Sequence, residues 1–157
     1  MPQRNDNYKN YGRNNQRNYS NKNENNIIND IIKDIEGLEK LSDMKPKDYA
    51  DIDGYADCIA KELSKKLNTN QLRKFFGAVR NIEKNKEWDE IEPELYLLKP
   101  KLAVSVGRKL IPREFYNIMK TTMNKIDIGT EEEKLENFDT FVKFLESIVA
   151  YHKYYVK

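Results

Sequence analysis

The chain has 157 residues, of which 38% are hydrophobic and 34% charged, with six glycines and five prolines; that profile suits one charge-rich helical domain rather than a sandwich or barrel. No uncharged apolar run approaches the roughly 18 residues of a membrane span, the opening MPQRNDNYKN offers no signal-peptide core, and the single Cys58 has no internal disulfide partner; the expected compartment is the cytoplasm. Net charge is only +2, so attraction to an acidic partner has to come from segregated charge or from a tail.

Residues 1–26 form that tail. Ten of the 26 are Asn, interleaved with Tyr8, Tyr11, Tyr19, Arg4, Arg13 and Arg17. Almost nothing there is apolar enough to bury, so the segment reads as a disordered arm. Arg and Tyr in a flexible arm can stack on unpaired bases and neutralise phosphates; the alternative is a solubilising extension. The arm carries five Arg/Lys against Asp6 and Glu24, a net of +3, which leaves −1 on residues 27–157.

From residue 27 the apolar period is 3.6 almost throughout, and residues 27–157 read as the helical domain. Ile27, Ile28, Ile31, Ile32, Ile35, Leu38 and Leu41 make a first stripe, ended by Pro46. A second helix is expected from Asp51 to Leu67, burying Ile52, Tyr55, Ala56, Ile59, Leu63 and Leu67. Asn68 or Thr69 caps a third, with Gln71 three residues beyond Asn68 as in a capping box, and Leu72, Phe75, Phe76, Val79 and Ile82 inward. A fourth is expected to start near Pro93 and to bend or break at Pro100, with Leu95, Leu98, Leu102, Val106 and Leu110 on its core face. Pro112 suits the first turn of a fifth, carrying Phe115, Ile118, Met119, Thr122 and Met123. Gly129 precedes the last, where Thr130 and Glu133 form a capping box and Glu131 and Glu132 favour the positive helix end. Its stripe is Leu135, Phe138, Phe141, Val142, Leu145, Ile148, Val149 and His152. The expected fold is all-α, a bundle of five or six helices.

Catalytic signatures are sparse. Without strands there is no phosphate loop of the strand–loop–helix kind, and one His with one Cys makes no zinc site of ordinary spacing. His152 falls on the apolar face of the last helix, where a lone His is a packed or interface residue. No cofactor, metal or enzymatic role is expected.

The basic residues say more. At about 100° per residue, Arg73, Gly77, Arg80 and Lys84 fall within roughly 60° of one another on a solvent-side stripe of the third helix. A glycine there costs about 1 kcal/mol relative to Ala, yet its missing side chain lets a phosphate backbone approach between two guanidiniums. Alternatively Gly77 admits a neighbouring helix, or the arginines form surface ion pairs. Lys99 and Lys101 flank Pro100, and a bend there would present both lysines to one concave surface; Lys101, Ser105 and Arg108 share a face. Together with the arm, these clusters favour nucleic acid, and they are expected to line one groove.

Three segments, TNQLRKFFGAVRNIE (69–83), ELYLLKPKLAVSVGR (94–108) and FVKFLESIVAYHKYY (141–155), in this order and spacing, resemble the small subunit of the type III-A CRISPR effector, the Csm complex. The resemblance covers roughly residues 50–157 and leaves the arm outside. It implies a non-catalytic helical subunit, repeated along a filament of backbone subunits that hold the guide RNA. Such a subunit contacts the target RNA and the guide–target duplex through the phosphate backbone, and associates with the backbone and large subunits and with further copies of itself. The basic positions inside the matching motifs are Arg73, Lys74, Arg80, Lys99, Lys101 and Arg108, followed by Lys153, and these are the RNA-binding candidates. A helical protein–protein module without RNA binding, docking through Tyr151, Tyr154, Tyr155 and the stripe around His152, is the alternative.

Overall fold

The computed structural model describes residues 24–156, so most of the Asn-rich arm lies outside the described residues. Helix α1 (Glu24–Glu36) begins slightly ahead of the boundary drawn at Ile27 and buries Ile27, Ile28, Ile31 and Ile35. It stops at Gly37; Leu38 and Leu41 remain in the core on the turn that follows, and a 3₁₀ turn covers Leu41–Asp43. Pro46 opens the short α2 (Pro46–Tyr49), consistent with its lack of an N–H at a first helical position.

The second long helix differs from expectation. It runs only from Tyr55 to Leu63 as α3. Residues 51–54 form a tight turn in which Asp53 takes a left-handed φ of 69°. Gly54 is needed there, because a Cβ would come within 2.8 Å of the Asp48 carbonyl oxygen. The Asp53 N–H donates to the Asp57 carboxylate at 2.7 Å, a cap at the third helical position that competes successfully with continuing the helix backwards. Ile52 is therefore 73% exposed and not a core residue.

Helix α4 (Thr69–Glu83) is capped by Asn68, whose Oδ1 accepts from the Gln71 N–H at 3.1 Å. Helix α5 (Trp88–Gly107) starts at Trp88 rather than near Pro93, and it is continuous through both Pro93 and Pro100. Both prolines lie on the exposed side, so the carbonyls they leave unpaired face water. Beneath them the stripe Trp88, Ile91, Leu95, Leu98 and Leu102 stays buried without interruption. Packing of that stripe overrides the local preference of proline to end a helix.

The end of α5 is a Schellman turn: Leu110 N–H donates to the Ser105 carbonyl at 2.8 Å and Lys109 N–H to that of Val106 at 3.0 Å. Lys109, not a glycine, takes the left-handed position at φ 62°, a conformation that costs a non-glycine residue about 1–2 kcal/mol. Leu110, expected on the core face, is 38% exposed because the helix has already ended.

Helix α6 (Arg113–Met123) follows Pro112, which serves as its cap. The last helix, α7 (Glu131–Val156), is the axis of the bundle; α3 packs along it most extensively, with α4, the 3₁₀ turn, α2 and α5 also against it, while α1 lies on α6 and α3. Its start matches the capping box: Thr130 Oγ1 accepts from the Glu133 N–H at 3.2 Å and Glu133 Oε1 from the Thr130 N–H at 2.8 Å. Gly129, at φ 94°, leaves room for that carboxylate. Asn137, fully buried, ties three segments together: it accepts from Ser42 N–H at 2.8 Å and donates to the carbonyls of Ile126 and Ile128 at 3.0 and 3.2 Å. The fold is all-α, with one continuous hydrophobic core and no strand among the described residues.

Candidate nucleic-acid interface

Helices α4 and α5 and the turn after α5 enclose an open groove of about 560 Å³. From α4 it takes Gln71, Lys74, Phe75 and Ala78, spaced three and four apart so that they share one face. From α5 it takes Leu98, Pro100, Lys101, Leu102, Val104 and Ser105, and from the turn that caps the helix Arg108, with Leu110 and Ile111 at one end. The floor is aliphatic, and Phe75 is held in place edge-on to Phe115, ring centroids 6.0 Å apart. The rim is cationic. Lys74, Lys101 and Arg108 are paired with no carboxylate of the described residues, and all three are exposed. The Schellman turn fixes where Arg108 stands, since its own N–H closes on the Val104 carbonyl at 2.9 Å.

The structure thus brings together three of the seven candidates and separates the others. Arg73 and Arg80 lie about 100–120° round α4 from Lys74 at helical periodicity, on a flatter neighbouring face. Arg80 is partly engaged: its Nε is 3.0 Å from Glu83, and its guanidinium stands 5.7 Å from the centroid of Phe76. That is the surface ion pair weighed as the alternative for this arginine. Arg73 is exposed and has no carboxylate partner among the described residues. Gly77, between them, offers open space: a Cβ added there would meet nothing within 4 Å, so no helix among the described residues uses the vacancy.

Lys99 does not join Lys101. Because α5 runs unbroken through Pro100, the two lysines point about 200° apart. The Lys99 ammonium sits 4.6 Å from the Tyr96 ring centroid on the opposite flank. There the Tyr96 hydroxyl donates to Asp127 at 2.6 Å, and with the nearby Lys134 ammonium it holds the Asp127 carboxyl below its usual range. Lys153 is exposed on the last turn of α7 and does not line the groove. The expectation of one groove lined by every basic candidate is corrected to one groove with three cations, an adjacent arginine face, and two lysines elsewhere. Their wheel positions were legible in the sequence; the continuity of α5 was not.

The remaining chemically suggestive groups are structural. His152 is 1% exposed, and its Nε2 lies 2.9 Å from the Leu67 carbonyl, to which it donates in the matching tautomer; burial lowers its pKa below the ordinary value. Burial pushes the Cys58 thiol up to about 12. Tyr151 donates to the Ala50 carbonyl at 2.7 Å and Tyr155 to the buried Asp57, so of the three C-terminal tyrosines only Tyr154 is turned out to solvent. No group of His, Cys, Asp or Glu among the described residues is arranged to hold a metal ion, and no described helix is long and apolar enough to cross a membrane.

A family model described as Csm2 Type III-A matches residues 46–157. The chain belongs to the Csm2 family. The match runs from α2 to residue 157 and contains all seven candidate positions, the groove and the part of the core contributed by α2 to α7; α1 lies outside it. Membership makes the protein a structural subunit of a type III-A CRISPR complex, in keeping with the resemblance of its three motifs. No curated protein and no solved structure gives a significant match.

Proposed function

We propose that this Csm2-family subunit binds RNA through the phosphate backbone along the α4–α5 groove, with Lys74, Lys101 and Arg108 as the principal contacts and Arg73 extending the path across α4. The observation that carries the proposal is a set of three cations with no described carboxylate partner on a single concavity of a domain whose net charge is −1. Sequence is read by pairing between guide and target, so a sequence-blind row of charges suffices for the subunit. One copy binds weakly, and repeated copies along the backbone filament, in the cytoplasm, add avidity on the target strand and the guide–target duplex. The subunit contributes grip and spacing, and no catalytic step.

Binding of labelled single-stranded RNA across a salt series tests this. Replacing Lys74, Lys101 and Arg108 together by Gln lowers the affinity, and flattens the dependence of log K on log salt by about 2, at roughly 0.7 per phosphate contact on single strands. Gln at Lys99 and Lys153 has a smaller effect. An unaltered slope in the triple variant, with the helical signal intact, overturns the assignment. A stoichiometric protein complex with no RNA retention at any salt favours the protein-module alternative.

A further inference from the structure

The family match begins at residue 46, so membership leaves the Asn-rich arm without a role. Residues 1–23 carry Arg4, Lys9, Arg13, Arg17 and Lys22 against Asp6 alone, a cation every four or five positions. Tyr8 adjoins Lys9, and Tyr11 and Tyr19 each stand two residues from an arginine. Between Pro2 and Asn26 there is no Ile, Leu, Val, Met, Phe or Trp. Such a segment has almost nothing to bury in an apolar groove of a protein. What it offers is guanidinium groups for phosphates and flat rings for unpaired bases.

The bundle determines where this segment leaves it. Helix α1 lies along α6 and α3, and hydrogen bonds fix its direction. The Lys125 ammonium, just beyond α6, donates to the Leu38 carbonyl at 2.7 Å, and the Leu41 N–H donates to the Lys125 carbonyl at 3.1 Å. At this same end of α1, Tyr55 at the start of α3 donates to Asp34 at 3.2 Å. Away from it, Lys66, just past α3, meets Glu114 in the first turn of α6 at 3.1 Å. Helix α1 therefore runs parallel to α6 and antiparallel to α3. With 13 and 11 residues, α1 and α6 are nearly equal in length, so their first turns stand at the same end of the bundle. Ile27 and Ile28 hold the first turn of α1 in the core there. Helix α6 begins two residues after Ile111, which lies at one end of the groove. The arm thus leaves the bundle at the Leu110–Ile111 end of the groove. The same chemistry recurs at that end. Arg113 opens α6 with its guanidinium 6.0 Å from the Tyr116 ring centroid, and the Lys120 ammonium stands 5.8 Å from the same ring. Both cations are exposed, and neither has a carboxylate partner among the described residues.

We propose that residues 1–23 are a second RNA-contacting element, which takes up the single strand where it leaves the groove at Ile111, with Arg113 and Tyr116 joining the two. Arg4, Arg13 and Arg17 contact phosphates, and Tyr8, Tyr11 and Tyr19 stack on bases. Fully extended, the segment reaches about 75 Å, several times the roughly 15 Å that α5 spans between Leu98 and Arg108. The proposal rests on the groove reading for the continuity of the path and not for the contacts of the arm itself. It also divides the labour. Cations in the groove are indifferent to base pairing, whereas stacking requires unpaired bases, so it is the arm that distinguishes a single strand from a duplex.

Filter binding of the full chain to a labelled single strand and to a duplex of equal length, across a salt series, tests this. Arg4→Gln, Arg13→Gln and Arg17→Gln together flatten the dependence of log K on log salt for the single strand by about 2, at roughly 0.7 per contact. Tyr8→Ser, Tyr11→Ser and Tyr19→Ser together leave that slope unchanged, lower single-strand affinity at least tenfold and leave duplex affinity unaltered. A wild-type Tm in both variants shows that the bundle is intact. Single-strand binding unaltered in both variants overturns the proposal, and so does a tyrosine variant that weakens duplex and single strand equally. Variants that bind RNA as the wild type does but no longer enter the type III-A complex place the arm on a protein, and overturn it too. Failure of the groove reading looks different: the Lys74, Lys101 and Arg108 triple variant then keeps the wild-type slope while the arginine variant of the arm still flattens it.

Discussion

Gly77→Ala separates what the folded chain requires from what an external partner requires. Gly77 lies in the middle of α4, is exposed, and presents open space to an added Cβ. Alanine therefore narrows the conformational freedom of the unfolded chain and touches nothing in the folded one. The helix-propensity difference is about 0.8–1.0 kcal/mol, and for a domain of this size that raises Tm by roughly 2–4 °C. Thermal unfolding followed by far-UV circular dichroism measures it. An unchanged or lowered Tm refutes the argument, since it means that the chain itself makes use of the glycine. The second readout is incorporation of the variant into the type III-A complex. If a strand or subunit comes into contact with the α4 backbone between Arg73 and Arg80, the methyl group lowers incorporation while Tm rises, and the two effects carry opposite signs. A raised Tm with unaltered incorporation means that the vacancy admits no partner.

Two further outcomes follow from buried polar groups. Asn137→Ala leaves the Ser42 N–H and the Ile126 and Ile128 carbonyls without their partner in a fully buried position; the loss is about 1–3 kcal/mol, read in urea unfolding as a lower midpoint with unchanged slope. An undisturbed midpoint would remove Asn137 as the tie between α7 and the two turns. His152 gives a pH dependence: burial holds its folded-state pKa below 6.5, so the unfolded chain takes up the proton more readily. Its contribution is complete above pH 6.5 and is lost as pH falls through the folded-state value. His152→Gln should flatten the acid side of the stability profile between about pH 6.5 and the folded-state pKa; an identical profile in the variant assigns that limb to other groups.

Periodicity made most of this fold legible, because helices buried on one face write their packing into the spacing of Ile, Leu and Phe. The α7 stripe and its Thr130–Glu133 box, the Asn68 cap and the buried faces of α4 and α6 were all readable in that way. The misses have a common cause. Around Ile52, one hydrogen bond from Asp53 N–H to Asp57 and the left-handed Asp53 outweighed an apolar residue in register. At Pro93 and Pro100, a buried stripe outweighed two helix breakers. In each case a tertiary or capping interaction worth about 1 kcal/mol or more decided against the local signal. The site inherited the second error: an imagined bend at Pro100 placed Lys99 beside Lys101, whereas a continuous helix turns it to Tyr96 and the Asp127 flank.

That divergence explains how a domain of net charge −1 presents a positive groove. Several cations away from the groove are matched by an acid: Lys40 with Glu133, Lys66 with Glu114, Lys134 with Asp127, Lys143 with Asp139. The first three pairs link separate elements and the last lies within α7; each is locally neutral, so none adds much to a field at distance. Lys74, Lys101 and Arg108 on the groove, with Arg73 beside it, have no such partner among the described residues and lie at α4 and α5, where the acids of α5 (Asp89, Glu90, Glu92 and Glu94) are confined to its first half. Segregation along one helix therefore does the work that bulk charge cannot. It also sets the limit on affinity, since each exposed contact is screened by salt within a Debye length of about 8 Å. On the proposed RNA-binding reading, a subunit built this way would hold RNA firmly only when several copies are arrayed on it, and its weakness alone would follow from the same charge distribution.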